Sequence, residues 1–271
     1  MALSCFVVLK SQDPGLSDSI SVPPGSSITT DNLGNLFVIT PTNDIVKYDK
    51  NGRKMATANF KVLGKVTSLD AANPFDIYVF YRDQNKVVFL DNMLNLLGEI
   101  DLEMIGVSQV PCIGRSGDNQ LWLFDMADLK LKKYSKNLRL VTESASFNTL
   151  TIGPDILPSM IVDVNTSVFM LNQGKILEFD VFANFSKIKL IDTLQTFQCV
   201  KLMDSLQRLE FVKEKIIYLK GNQVYVFNTL DFTVKKSDLA LPPNTRGIRI
   251  EKERLYVLTD EYVILQTFSE K

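Results

Sequence analysis

The sequence predicts an all-β fold, and three observations carry that expectation. Apolar residues alternate or run in short blocks bounded by Asn, Asp, Gly and Pro, which is how strands and their turns are punctuated. No amphipathic helix of useful length appears, the nearest approach being a turn or two near 193–206. The strands also recur as a set: IVKYD ending at Asp49, VVFLD at Asp91, LKKYS at Ser135, ILEFD at Asp180 and VYVFN at Asn228 each lead through apolar positions to an aromatic or leucine and then open a turn.

Spacing turns this pattern into an architecture. The fourth residues of those segments, Tyr48, Leu90, Tyr134, Phe179 and Phe227, recur at steps of 42 to 48 residues, the period of propeller blades in an all-β chain. VILQT at 263–267 supplies a degenerate sixth copy. Each copy is preceded by another strand: LFVIT at 36–40, DIYVFY at 76–81, LWLFD at 121–125, SVFML at 167–171, IIYLK at 216–220 and RLYVLT at 254–259. The expected fold is therefore a six-bladed β-propeller of four strands per blade, the first blade occupying 27–30, 36–40, 44–48 and 54–59. The last copy has only three strands, and DSISV at 18–22 is expected to supply the fourth. Pairing of the N- and C-terminal strands would then close the ring and remove exposed sheet edges. No Gly/Ser-rich or Pro-rich linker divides 13–271, so one domain is expected, with insertions at 147–158 and 190–208.

DNLGNLFVI at 31–39, SGDNQLWLFD at 116–125 and IVKYDKNGR at 45–53 resemble the turn-and-strand signature of NHL-repeat and related six-bladed propellers. Together with the apolar amino terminus, the repeat is also similar to exported propeller proteins of bacteria. The resemblance implies architecture first, because its relatives include gluconolactonase-like enzymes, peptide and glycan binders, and protein-docking modules. In the gluconolactonase-like group a Glu, Asn and Asp set holds a divalent cation at the channel, and no residue set here maps onto it. Asp31, Asp70 and Asp163 stand before turns and could form a carboxylate ring. Capping of the hairpins by their side chains is the expected role.

Composition narrows the function classes. The 271 residues are 45% hydrophobic, ample for a sizeable core, and carry a formal net charge of -1. No global field would hold the chain on nucleic acid or an anionic membrane, so neither is expected as a partner. The complete absence of histidine excludes Ser-His-Asp and Cys-His nucleophilic systems and imidazole metal sites. Cys5, Cys112 and Cys199 are widely spaced and form no CxxC pair. Two of them read as small buried hydrophobes, the alternatives being a disulfide or a reactive thiol. No catalytic residue, metal or cofactor is assigned.

ALSCFVVL at 2–9, followed by polar residues, resembles the end of a secretory signal peptide, with 1–12 as its remnant. Cys5 as a lipoprotein cysteine and an ordinary first strand are the alternatives. A signal remnant places the protein in a periplasm or outside the cell; an ordinary strand places it in the cytoplasm. No stretch is long enough to span a bilayer.

The loops joining the second and third strands of each blade share one face, and their residues there are short, polar and mixed in charge. Asn43, Tyr81, Arg82, Asp83, Gln84, Asp128, Asn172 and Asn222 are the candidate binding residues. An arginine beside an aromatic is a common hot-spot pairing, although Tyr81 could equally be core and Arg82 with Asp83 a weak exposed pair. Trp122 is expected to pack between blades, and the basic run of Lys130, Lys132, Lys133, Lys136 and Arg139 to protect an exposed edge. Two functions remain: a monomeric, non-catalytic module presenting one propeller face to a protein or cell-envelope partner, or a metal-dependent hydrolase or lyase with carboxylates in the central channel.

Overall fold

The computed structural model describes residues 19–150, 156–164, 166–172, 175–190, 200–202, 215–220, 222–228, 230–251 and 254–267. The segment 1–12, Cys5 and Cys199 lie outside them. A short strand β1 (Ser19–Ser21) precedes β2 (Ser27–Thr30), β3 (Leu36–Ile39), β4 (Asp44–Tyr48) and β5 (Lys54–Asn59), which pair in that order as one antiparallel sheet. The next sheet is β6 (Ser68–Asp70), β7 (Ile77–Tyr81), β8 (Lys86–Leu90) and β9 (Leu96–Asp101). It is followed by β10 (Ile113–Arg115), β11 (Leu121–Asp125), β12 (Lys130–Tyr134) and β13 (Leu140–Glu143). Then come β14 (Pro158–Val164), β15 (Ser167–Asn172), β16 (Lys175–Asp180) and β17 (Phe185–Leu190). A further set is β18 (Val200–Leu202), β19 (Lys215–Lys220), β20 (Gln223–Asn228) and β21 (Val234–Lys236).

Among the described residues these five sheets are meanders of four strands consecutive in sequence. The remaining sheet is composite: β22 (Gly247–Glu251), β23 (Arg254–Leu258) and β24 (Tyr262–Thr267) pair in order, and β1 lies against β24 with Ser19 opposite Ile264. The helical turn expected near 193–206 is corrected at Val200–Leu202, which is strand β18; a β-branched residue there pairs with Ile217 across the ladder. The rest of 193–206 lies outside the described residues.

The chain divides into two compact units, Met1–Asn59 with Ala71–Pro74 and Gln195–Lys271, and Phe60–Asp70 with Phe75–Leu194. In the second unit, alternate residues of β11 point to opposite faces. Leu121 and Leu123 pack with Tyr78 and Phe80 of the preceding sheet and with Leu102 just beyond it, while Trp122 and Phe124 pack with Val168, Met170 and Phe179 of the next. A strand covered on both faces must be apolar throughout, which is why β7 and β11 read as continuous hydrophobic runs. In the first unit Ile28, Leu36 and Val38 meet Tyr256, Leu258 and Val263, and Ile217 with Val224 meets Ile248 and Val257. Each such side chain removed from water contributes about 1.5–3 kcal/mol.

Aromatic residues of second strands also fasten sheet to sheet by hydrogen bonds. The Tyr78 hydroxyl donates to the Asn119 carbonyl at 3.1 Å, Trp122 Nε1 to Asp163 Oδ2 at 3.0 Å, and the Tyr256 hydroxyl to the Gly34 carbonyl at 2.7 Å. Trp122 is thus a packing residue with its one polar atom satisfied, as buried tryptophans require. The Arg115 guanidinium lies 3.7 Å from the Tyr78 ring centroid, with Nε 3.2 Å from Asp70 Oδ1 and Nη1 3.6 Å from Asp76 Oδ2.

Two of the three turn aspartates also reach a donor on the neighbouring sheet. Asp31 caps its hairpin: Oδ1 accepts from the Leu33 and Asn35 amides, while Gly34 takes the left-handed φ of 83°. Asp70 accepts from Arg115 and Asp163 from Trp122, so each also satisfies a side-chain donor of the neighbouring sheet. The same cap recurs at the turns from third to fourth strand, where Asp49, Asp91 and Asp180 accept from amides two and four residues on. Each is followed by a register shift in the ladder, as a turn ending in a bulge requires.

The basic run is corrected as well. Lys132 and Lys133 are buried, and the run is matched acid by acid: Lys130 with Glu143, Lys132 with Asp125 and Asp128, Lys133 with Asp118, and Lys136 with Asp76. The hydrogen bond from Lys132 and its charge hold the Asp128 carboxyl below its ordinary range.

Two predictions follow from this packing. A Cβ on Gly114 would lie 2.5 Å from the Ile161 carbonyl oxygen, so G114A should cost about 1–3 kcal/mol in denaturant melts, whereas G98A, with nothing within 4 Å, should be nearly neutral. Because the folded pKa of Asp128 lies below its ordinary value of 3.8, its stabilisation is present above that value and lost as pH falls through the lowered one. D128N should therefore melt below the wild type at neutral pH, and the gap should close in melts at more acid pH.

Candidate functional site

The site is built around one turn of the second unit. Between β7 and β8 the sequence Arg82–Gln84 makes a single 3₁₀ turn, and Asn85 ends it in the left-handed conformation at φ 50°, which asparagine tolerates better than other non-glycine residues. The turn is tied on both sides to the connections that enter neighbouring sheets. On one side the Arg82 amide donates to Thr67 Oγ1 at 3.0 Å, and Thr67 belongs to the β5–β6 connection. On the other, the Leu102 amide donates to the Asn85 carbonyl at 3.0 Å, and Asn85 Nδ2 donates to the Val107 carbonyl at 2.5 Å, both within the β9–β10 connection. Three segments that are distant in sequence are thereby set side by side as one surface.

Short 3₁₀ turns at Lys61–Leu63 and Leu102–Ile105 shape the outer segments. Each turns apolar residues inward and leaves one outside: Leu63 and Leu102 are buried, while Val62 is 90% and Met104 85% exposed. Around these two stand exposed Lys61, Lys65, Arg82, Asp83, Gln84 and Glu103. Among the described residues no ion pair joins the side chains of Lys61, Lys65, Arg82, Asp83 or Glu103 to a partner, in contrast to the matched lysines of β12. Exposed bulky apolar side chains framed by unpaired charges are the composition of a contact surface with a polar rim.

The next turn, between β11 and β12, is held in the same manner. The Met126 amide donates to the Gln109 carbonyl at 2.9 Å, Ser146 Oγ to the Asp128 carbonyl at 3.1 Å, and the Phe147 amide to the Leu129 carbonyl at 2.8 Å. Asp128 stands exposed at its tip, ion-paired with Lys132.

The other predicted residues occupy different settings. Tyr81 is fully buried, its hydroxyl has no hydrogen-bond partner among the described residues, and burial pushes its pKa up to about 12, so it holds its proton at neutral pH. Asn172 is buried, and its Oδ1 accepts from the Leu157 amide at 2.7 Å. In the first unit, Asn43 sits at φ 63° in the β3–β4 turn, and Asn222 Nδ2 reaches the Pro243 carbonyl at 2.7 Å. The structure thus brings Arg82, Asp83 and Gln84 together on the surface just described, places Asp128 on the adjoining turn, and gives Asn172 and Asn222 side-chain bonds that pin connections.

Sequence reasoning passed over Lys61, Val62, Lys65, Glu103 and Met104 because it considered only the turns within blades. A signal was present in the paired segments Lys61-Val62-Leu63 and Glu103-Met104-Ile105, where a charge precedes two apolar residues in an otherwise polar connection. Among the described residues no group of three His, Cys, Asp or Glu could hold a metal ion, and the Cys112 thiol is buried, its pKa pushed up by desolvation. No described helix is long and apolar enough to cross a membrane.

No protein-family model matches the chain, and no curated protein does. Solved structures match along most of its length. A catalytically inactive histidine-to-alanine form of virginiamycin B lyase from Staphylococcus aureus, solved with quinupristin, is 13% identical, with a TM-score of 0.58 over 96% of this chain and 99% of that one. An auxiliary nutrient binding protein from Bacteroides ovatus is 8% identical, with a TM-score of 0.66 over 92% and 70%. The WD40 domain of Pan2 from Neurospora crassa is 11% identical, with a TM-score of 0.55 over 92% of each chain. At these identities the likeness concerns architecture alone, and with the four-stranded meanders it establishes that the chain has an all-β propeller fold.

Proposed function

We propose that this protein is a non-catalytic binding or scaffolding module that presents one end of its sheets to a protein partner. In this reading the five meanders and the composite sheet are six blades of one NHL-like ring, closed where β1 lies on β24, in a single monomeric domain. The observation that carries the functional reading is the surface of the second unit on which Val62, Arg82 and Met104 are held together by the Thr67 and Asn85 hydrogen bonds. Arginine and methionine are enriched in the cores of protein interfaces, and loops positioned by a rigid sheet are where propellers carry recognition. Asn43, Asn172 and Asn222 serve that end by positioning connections, and Asp128 extends the rim. The propeller likenesses to a nutrient binding protein and a WD40 domain are compatible with binding. An exported location, in a periplasm or outside the cell, accompanies this reading, with a cell-envelope protein as the partner.

The competing reading, a hydrolase or lyase with carboxylates and a divalent cation in the channel, draws support from the likeness to virginiamycin B lyase. The histidine-to-alanine form of that lyase is inactive, and the present chain contains no histidine with which to perform the same role. Binding is therefore the better-supported function.

The test is site-specific photo-crosslinking in cells producing the protein. A photoreactive residue at position 62 or 104 should yield one discrete adduct, competed by excess unlabelled protein. The same residue at position 182, exposed in the turn between β16 and β17 at the other end of the strands, should not. Equal labelling from position 182, or none from 62 and 104, would remove the proposal.

A further inference from the structure

The distribution of charge on this surface defines the chemistry of what it binds, and the geometry points to an acidic, apolar protein segment as the occupant. The inference rests on the binding reading above and adds a partner class and a direction to it. Lys61 and Lys65 flank Val62 on the β5–β6 connection, and Arg82 is fixed beside that connection by the hydrogen bond from its backbone amide to Thr67 Oγ1. The three cations meet no acid among the described residues, although elsewhere in the same unit lysines are matched closely, as Lys133 is to Asp118 at 2.9 Å and Lys136 to Asp76 at 2.7 Å. Unmatched cations around an exposed valine favour a segment in which carboxylates accompany bulky apolar side chains.

The opposite side of the surface carries the reverse sign. Glu103 stands next to Met104 on the β9–β10 connection, and Asp83 shares the central turn with Arg82. The surface is therefore polar along its length, from Lys61 and Lys65 through Arg82 and Asp83 to Glu103. A bound segment with its acids over the lysines would place its apolar side chains on Val62 and Met104. Turned around, it would set carboxylates against Glu103, and that like-charge juxtaposition selects one orientation. Gly64 and Gly106, at φ 73° and 78°, end the two outer 3₁₀ turns with open space where a side chain would stand, each two residues on from its exposed apolar residue.

The experiment measures binding of the purified full chain to an array of 15-residue peptides sharing one apolar centre, flanked on one side by glutamates, lysines or glutamines. The wild type should prefer the glutamate set at least tenfold over the glutamine set. The charge reversal K61E/K65E/R82E, on exposed positions that leave the melting temperature in place, should move the preference to the lysine set, and V62D/M104D should abolish binding to all three. Equal binding of the three sets, or retention of the glutamate preference by the charge-reversed protein, would overturn the assignment. So would sedimentation showing a dimer that M104D dissolves, since the surface would then belong to a second copy. Loss of peptide preference with the crosslink at position 104 intact would defeat the acidic-partner inference alone. Loss of both would defeat the binding reading as well.

Discussion

A four-stranded sheet whose inner strands are apolar on both faces cannot remain stable by itself, and this constraint shapes the rest of the molecule. β7 is buried from Ile77 to Tyr81 and β11 from Leu121 to Asp125, so each needs a neighbour on either side. In the second unit the neighbours meet through Leu121 and Leu123 on one face of β11 and Trp122 and Phe124 on the other. Direct face-to-face packing brings the innermost strands close enough that Gly114 has no room for a side chain. It also buries polar atoms that must find partners across the interface, which Tyr78, Trp122 and Tyr256 do with the carbonyl or carboxylate of an adjoining sheet.

The surface proposed for binding inherits its order from the same arrangement. Its loops do not pack on themselves; Thr67, Asn85 and Gln109 tie each turn to the connection next to it, so that the end of the second unit is a set of cross-linked segments. A pre-formed surface of this kind loses less conformational entropy on association than free loops would. The proposed surface and the architecture are linked at Asn85, whose left-handed backbone ends one turn while its side chain fixes another segment.

Much of the fold could be read from the sequence because strand burial leaves a simple mark. The aromatic or leucine before each turn aspartate and the step between copies are consequences of repeated packing, and Lys54–Asn59 fell where the repeat placed it. What could not be read is which partner a polar atom takes when several lie within reach. Asp31, Asp70 and Asp163 look alike in sequence, yet Asp70 also meets Arg115 and Asp163 also meets Trp122, because those donors come from other sheets. Lys132 and Lys133 looked like edge cations until the acids at 118, 125 and 128 were seen beside them. At the candidate site Arg82, Asp83 and Gln84 were legible as an exposed polar turn. Val62 and Met104 were not, because an apolar residue in a connection has no periodicity to reveal whether it points in or out.

The pairing of β1 with β24 also has a consequence for biosynthesis. Every meander can assemble soon after its own four strands leave the ribosome, since its hydrogen-bond partners are neighbours in sequence. Ser19–Ser21 emerges among the earliest described residues and must wait for Tyr262–Ile264, among the latest. Throughout the synthesis of the segments between them β1 is without its mate, and the composite sheet is finished only once β24 has been made.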